Sequence, residues 1–180
     1  MNKKQIREFN DIIASHNQFT HNSLLWAAIK DVWKVSEKKA KQRAKEFCNV
    51  ISFYAVLKSS DLINVSLYQF MLDGKKNKYK LRSIIRKDGY IRSKRALLKI
   101  YGVSLDWKYF ETYICFDTDF LDEKCFYQMR ISTGKRSKHF MGAYVENGKL
   151  YLSDSSSRGI GVLARNKIDK DQFDWILKIS

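Results

Sequence analysis

Residues 139–154 read HFMGAYVENGKLYLSD, and this stretch indicates how the second half of the chain folds. Two runs of alternating side chains flank Asn147-Gly148, the dipeptide most typical of a two-residue turn between antiparallel strands. Such a turn leads the chain back on itself, so the two runs pair with each other. The stretch therefore predicts a β-hairpin and, with it, an antiparallel sheet.

The register of this hairpin places two polar residues together. If Glu146 faces Lys149, Asp154 lies opposite Met141, two positions from the residue that faces His139. Because side chains alternate between faces, His139 and Asp154 share a face as diagonal neighbours, within reach of an imidazole–carboxylate hydrogen bond. They are either a structural pair at a fraying strand end or a general base whose tautomer a carboxylate holds. The opposite face is expected to carry Phe140, Tyr144 and Tyr151.

The rest of the second half of the sequence also has patterns typical of strands, whereas the first half has patterns typical of helices. After Gly102, segments such as YFETYICF and CFYQMRIS are rich in aromatic and β-branched residues, which is typical of strands. The polar run 36–46 is typical of a solvated arm or linker. Apolar spacing predicts helices over residues 24–35, 48–57, 61–71, 81–85 and 93–101, with a core strand as the alternative for 48–57. We therefore expect an α+β fold, helical first and antiparallel second.

Length and composition favour one ordinary domain. The chain has 180 residues, 44% of them hydrophobic, which excludes intrinsic disorder and collagen-like repeats. No run approaches the roughly 18 apolar residues of a membrane span. The N-terminal MNKKQIREFNDII lacks the apolar core of a signal peptide, so we expect a cytoplasmic protein. Three cysteines without a Cys-x-x-Cys pair indicate neither a disulfide scaffold nor a zinc ribbon.

Cys48 is the candidate nucleophile that a base at His139 would need. It opens the apolar run CNVISFYAVL, and a thiol at a helix N-terminus has its thiolate favoured by unpaired N–H groups and the helix dipole. Gln42 lies six residues earlier, so its amide can fold back and join the Cys48 N–H in holding an oxyanion. Taken alone, however, such a Cys is more often a small core residue, and such a Gln an ordinary surface residue.

Together these residues resemble the papain-like cysteine peptidases, and more narrowly the bacteriocin-processing (double-glycine) peptidase family. The resemblance covers about residues 36–163. It rests on Gln42 six residues before Cys48, the apolar helix NVISFYAVL, the segment DGYIRSKRALLKIYGV leading to a Gly, and HF followed by a hairpin and an Asp.

This resemblance implies a papain-like fold, with the nucleophile on an early helix and the base on a later antiparallel sheet. It implies that Cys48 is the nucleophile, His139 the base, Asp154 the orienting acid and Gln42 the oxyanion donor. The implied protein is a thiol protease, a hydrolase that cleaves an amide in a peptide or protein substrate. It would need no metal or organic cofactor. A catalytically inactive relative is the alternative within the family.

The expected domain organisation follows from the same comparison. Residues 1–35 form an N-terminal helical extension and residues 36–180 the peptidase domain, within a single compact unit.

Most of the positive charge lies in one segment. The chain has 34 Lys and Arg against 19 Asp and Glu, a net charge of +15, and residues 75–99 contribute eleven Lys or Arg and a single Asp. Tyrosines interleave with these cations, which is typical either of a nucleic-acid or polyanion surface or of a solvated helix face. The candidate anion-binding residues are Lys87, Arg92, Lys94 and Arg95. The alternative function is therefore a non-enzymatic nucleic-acid or anion-binding protein.

Overall fold

Helices occupy the first hundred residues and a large antiparallel sheet the remainder. The structure, a computed structural model, describes residues 1–19, 23–104, 109–111, 121–122, 125–132, 138–156, 162–165 and 173–179. Its helices are α1 (Lys3–Ser15), α2 (Leu24–Trp33), α3 (Glu37–Ala44), α4 (Cys48–Ser59), α5 (Leu67–Lys76) and α6 (Lys94–Lys99). Its strands are β1 (Lys78–Tyr79), β2 (Arg82–Ser83), β3 (Tyr109–Glu111), β4 (Phe126–Ser132), β5 (Lys138–Glu146), β6 (Lys149–Ser153), β7 (Val162–Arg165) and β8 (Phe173–Ile179). The α+β class is confirmed.

Helix α4 begins where the polar run ends. α3 covers most of that run, with Ala40 and Ala44 as its buried residues. Three residues in turn conformation separate it from α4, whose first residue is Cys48. The apolar run is therefore a helix rather than a strand, and nearly all of α4 is buried.

One expected helix is wrong. Residues 81–85 do not form a helix, because Lys80 and Leu81 have positive φ angles of 50° and 64° and turn the chain back. Arg82 in β2 then pairs with Tyr79 in β1 as a short antiparallel hairpin. The helix expected over 61–71 instead begins at Leu67, after a cap by the Ser66 side chain.

The large sheet has the strand order β3-β8-β4-β5-β6-β7, and the described pairings are antiparallel. The central hairpin joins β5 to β6 with Glu146 opposite Lys149, as predicted. Asn147 and Gly148 form its turn with φ angles of 52° and 67°, the left-handed conformation that a tight hairpin turn requires. The last pair of this ladder is Gly142 with Ser153, so the chain beyond it is free to carry a site.

The two faces of the sheet bury different clusters. The face that carries Tyr144 and Tyr151 packs with the helices, and the two rings stack 5.0 Å apart. The other face forms a second buried cluster. Its central members are Met129, Met141, Ala143, Leu152 and Ile176. Both faces of the sheet therefore carry buried side chains.

The N-terminal helices belong to the helix-side cluster. Phe9 and Ile13 from α1, and Leu25 and Ile29 from α2, are buried in the same cluster as Phe53 of α4. Residues 1–35 thus share a core with the segment that follows them. No helix in the described part of the chain is both long and apolar enough to cross a bilayer.

Candidate active site

Cys48 lies at the open start of α4. The residue before it, Phe47, makes no side-chain hydrogen bond to the helix, so the first N–H groups of α4 lack a side-chain cap. The Cys48 side chain is buried, at 7% exposure, and lies close enough to His139 to contribute to the raised pKa of that imidazole. A thiol in this position receives the partial positive charge of a helix N-terminus on one side and an imidazole on the other.

His139 and Asp154 meet as the hairpin register predicts. His139 Nε2 lies 2.6 Å from Asp154 Oδ1, and the two side chains are only 16% and 26% exposed. The carboxylate engages Nε2, so Nδ1 is the ring nitrogen that Asp154 leaves available. The structure therefore brings Cys48, His139 and Asp154 together as a chain of thiol, imidazole and carboxylate.

The electrostatics of this site favour the charged forms of His139 and Asp154. Burial lowers the pKa of His139, but hydrogen bonds and charge attraction from Asp154 and Cys48 outweigh it and raise that pKa to about 10. Burial of Asp154 opposes its ionisation, yet the hydrogen bonds from His139 and Ser156 leave the pKa of this carboxyl below its ordinary value. An imidazolium at His139 and a carboxylate at Asp154 are thus the stable forms at neutral pH.

Ser156 completes this corner of the site and was not among the predicted residues. Its backbone N–H donates to Asp154 Oδ1 at 2.7 Å, and its hydroxyl lies 2.8 Å from the same oxygen. The hydroxyl is also 3.1 Å from His139 Nε2. An Asp whose side chain accepts from the N–H two residues later is an Asx-turn, so the sequence Asp-Ser-Ser after a strand carries the signal.

Gln42 lies on the exposed side of α3, in its last two turns. Among the described residues, none forms a hydrogen bond with its side-chain amide. The amide is therefore unengaged within the described structure and lies six residues before Cys48, but no contact described joins Gln42 to Cys48, His139 or Asp154.

A buried polar contact anchors the start of α4 to the sheet. Gln128 of β4 is fully buried, and its Nε2 donates to the backbone oxygen of Asn49 at 3.0 Å and to Ser52 Oγ at 2.7 Å. The Asn49 side chain also accepts from this amide, at 3.2 Å. Asn49 is consequently held against the sheet.

The four candidate anion-binding residues fall into two groups. Lys87 and Arg95 are exposed, and Arg92 is half-buried. Lys94 instead lies with its Nζ 5.1 Å from the Phe53 ring centre and 5.2 Å from that of Phe140. Burial lowers the pKa of Lys94 well below its ordinary value, and the nearby Arg130 lowers it further. Only Lys87 and Arg95 are therefore displayed as surface cations.

Two residues of the basic segment, Gly89 and Lys94, pack against the neighbours of Cys48 and His139. A Cβ at Gly89 would lie 2.7 Å from the Glu46 carbonyl oxygen and 2.9 Å from the Phe47 Cα, so the turn at residues 87–89 packs directly on the turn before Cys48. Its positive φ of 74° also favours glycine. At the other side, Lys94 contacts Phe140, the neighbour of His139.

In the described part of the chain, the other cysteine is a free thiol and no metal-binding cluster is present. Cys125 is a free, half-buried thiol, and Cys115 lies outside the described residues. Within the ranges that the structure describes, no group of three or more His, Cys, Asp or Glu could hold a metal ion.

What the described residues can do together is nucleophilic chemistry at a thiol, with a proton carried by an oriented imidazole. Comparisons of this chain with family models, curated proteins and solved structures found no match.

Proposed function

We propose that this protein is a cysteine peptidase with a papain-like arrangement, which hydrolyses a peptide amide through Cys48. The observation that carries the proposal is the chain of contacts from Cys48 through His139 to Asp154, built at the start of a helix without a side-chain cap. Each residue type suits its place. An imidazole and a carboxylate that were buried without partners would destabilise the fold. Here the two groups are hydrogen-bonded to each other, and both are charged.

The proposed reaction passes through a thioester. The Cys48 thiolate forms a bond to the amide carbonyl carbon, and the carbonyl electron pair moves to the oxygen. When this intermediate collapses, the carbon–nitrogen bond breaks and His139 gives its proton to the leaving amine. The neutral imidazole then takes a proton from water, which attacks the thioester. The acid product leaves, and the thiolate and imidazolium are restored.

The negative oxygen of the intermediate needs donors that are in place before the reaction. The Cys48 N–H is one, because it lies at the open first turn of α4. The Gln42 amide is the second in this proposal. Its support is the spacing of six residues to Cys48 and an exposed side chain that is not engaged elsewhere in the described structure. Asn49 stays clear of the substrate because Gln128 holds its side chain.

The charge around the site suggests an acidic substrate. Lys87 is exposed in the turn whose Gly89 packs on Phe47, the residue before Cys48. Arg86 beside it forms an ion pair with Asp88 at 2.5 Å, which leaves a net charge of +1 in this turn. A field of this sign raises the local concentration of anionic partners and speeds their association at low salt. Acidic peptides are thus the substrates to test first.

Selective labelling of the thiol tests the proposal. An ordinary thiol, with a pKa of about 8.5, loses roughly 200-fold in alkylation rate between pH 9 and pH 6. We expect iodoacetamide to label Cys48 in preference to Cys125 at pH 6, because the helix start and His139 favour a nucleophilic sulfur at Cys48. Mass spectrometry of each labelled peptide gives the rates, with Cys125 as the internal control.

Activity is then measured on a mixture of acidic peptides, with Cys48→Ala as the inactive variant that still folds. Loss of one thiol opens only a small cavity, so its melting temperature should stay close to that of the wild type. Equal labelling of Cys48 and Cys125 at pH 6 would refute the peptidase proposal and favour the anion-binding alternative. A reactive Cys48 without cleavage would indicate an inactive relative.

A further inference from the structure

Two helices meet before Cys48 without a glycine or proline to separate them. In a continuous helix, the N–H of residue i donates to the carbonyl of residue i−4. Continuation of α3 into α4 would therefore pair the Cys48 N–H with the Ala44 carbonyl and the Asn49 N–H with the Lys45 carbonyl. Neither bond forms, and among the described residues none accepts from these two N–H groups.

The Ala44 carbonyl accepts instead from the Phe47 N–H at 3.1 Å, in a tighter turn. A side chain from a distant segment also bonds this carbonyl and that of Lys45. Gln18 Nε2 donates to the Ala44 oxygen at 2.7 Å and to the Lys45 oxygen at 2.9 Å. Gln18 is 1% exposed, so this amide is a fixed part of the core. Its two acceptors are the same two carbonyls that would close the helix through Cys48.

Gln18 is itself held from two other sides. Its backbone N–H donates to the Ser155 carbonyl at 2.9 Å, within the loop that carries Asp154. Its own carbonyl accepts from Trp26 Nε1 at 3.1 Å. One residue thus ties the turn before the nucleophile to the loop of the orienting acid.

We infer that Gln18 is a positioning residue of the proposed active site, whose amide keeps the first N–H groups of α4 open. By holding the Ala44 and Lys45 carbonyls, it leaves the N–H groups of Cys48 and Asn49 to stabilise the thiolate and the oxyanion. It touches neither the substrate nor the thiol and acts through the backbone. The inference rests on the proposed function for its catalytic meaning, but the state of the N–H groups is independent of it.

Hydrogen exchange of the wild-type amides tests the open N–H groups directly. Ile51 is the reference, because its N–H donates to the Phe47 carbonyl at 3.0 Å in the same helix. We expect the amides of Cys48 and Asn49 to exchange at least ~10-fold faster than that of Ile51. Protection of both amides at the level of Ile51 would overturn the inference, and this measurement needs no variant.

Gln18→Met removes the amide while keeping the length of a buried side chain. We expect the Cys48 and Asn49 amides to become protected to within ~3-fold of Ile51 as the two helices join. The alkylation rate of Cys48 at pH 6 should fall about 10-fold, and kcat on a cleaved peptide about 100-fold with little change in KM. Unchanged exchange and alkylation in this variant would overturn the inference.

Gln128→Met is the matched control, since it also removes a buried amide that bonds the first turn of α4. It should lower the melting temperature without protecting the amides of Cys48 and Asn49. If it protects them as Gln18→Met does, the role is general packing and the inference fails. If wild-type Cys48 is unreactive at pH 6 while exchange still responds to Gln18, the backbone role stands and the proposed function alone fails.

Discussion

Asp154→Asn is the change that most directly probes the charge in the proposed triad. It removes a negative charge 2.6 Å from His139 Nε2 while keeping an oxygen in the same place. That oxygen can still accept from the Ser156 N–H and hydroxyl, which bond Oδ1 at 2.7 Å and 2.8 Å. The variant therefore alters electrostatics with little change in packing.

The size of the effect follows from the state of His139. Burial lowers its pKa, but Asp154 and Cys48 raise it to about 10 from an ordinary 6.5. At about 1.4 kcal/mol per pH unit, this difference is on the order of 5 kcal/mol between the two protonation states. Loss of an adjacent opposite charge typically changes a pKa by about 1 to 3 pH units. We expect Asp154→Asn to lower the pKa of His139 by that amount.

Titration of the histidine rings by NMR measures this without a substrate. Burial lowers the pKa of His16, so its signal moves at a lower pH than that of His139, and His139→Gln assigns the latter. Cys48→Ala is a useful second background, because it removes the other group that raises the pKa of His139. A wild-type His139 that titrates near 6.5, or one whose titration ignores Asp154→Asn, would refute the reasoning.

The same pKa determines how folding stability varies with pH. A raised pKa in the folded state stabilises the protein fully below about 6.5, and this contribution is lost as the pH rises toward about 10. The lowered pKa of Asp154 acts on the acid side, where its contribution is lost as the pH falls through that value. Urea denaturation of the wild type should therefore show falling stability between pH 6.5 and about 10, and Asp154→Asn should flatten this decline.

Three further outcomes are expected. Gly89→Ala should lower the free energy of unfolding by about 2 to 4 kcal/mol in urea denaturation, because its Cβ would meet the Glu46 carbonyl at 2.7 Å and its φ is 74°. Gly102→Ala has a similar φ but open space around it, so it should lower that free energy by only about 1 to 2 kcal/mol. Equal losses in the two variants would contradict the close packing at Gly89. Reversing Lys87 and Arg95 to Glu should reduce retention on heparin and lower the salt slope by about 2, whereas an unchanged slope would leave both as solvated cations. Gln42→Ala should lower kcat on a cleaved peptide by about 100-fold and leave alkylation of Cys48 unchanged; equal kcat would exclude it as an oxyanion donor.

The hairpin of the site was predictable because its information is local. Asn147-Gly148 takes left-handed φ angles at little cost, and once the turn is known the alternation of side chains sets every pair. The same logic placed His139 and Asp154 on one face. By contrast, the turn at Lys80 and Leu81 uses two residues that do not favour positive φ, so no local pattern distinguishes it from a helix.

Contacts between distant segments account for what the sequence did not reveal. Gln18 bonds carbonyls 26 and 27 residues away, and no periodicity of apolar residues encodes such a pair. Gln128 lies 79 residues from its partner Asn49. Buried amides of this kind look like surface residues in a sequence, because their type is usually exposed. Their burial is evident only when the helices and the sheet are assembled.

Helix α4 differs from the other described helices in the residue that precedes its first turn. In the part of the chain that the structure describes, every helix but one begins after a Ser or Asn whose side-chain oxygen accepts from the first turn. These caps are Asn2, Ser23, Ser36, Ser66 and Ser93. The exception is α4, preceded by the buried Phe47, and an absent cap of this kind costs about 1 kcal/mol. Among the described helices only α4, which begins at Cys48, lacks such a cap, and in the proposed mechanism its open N–H groups would stabilise the thiolate and the oxyanion.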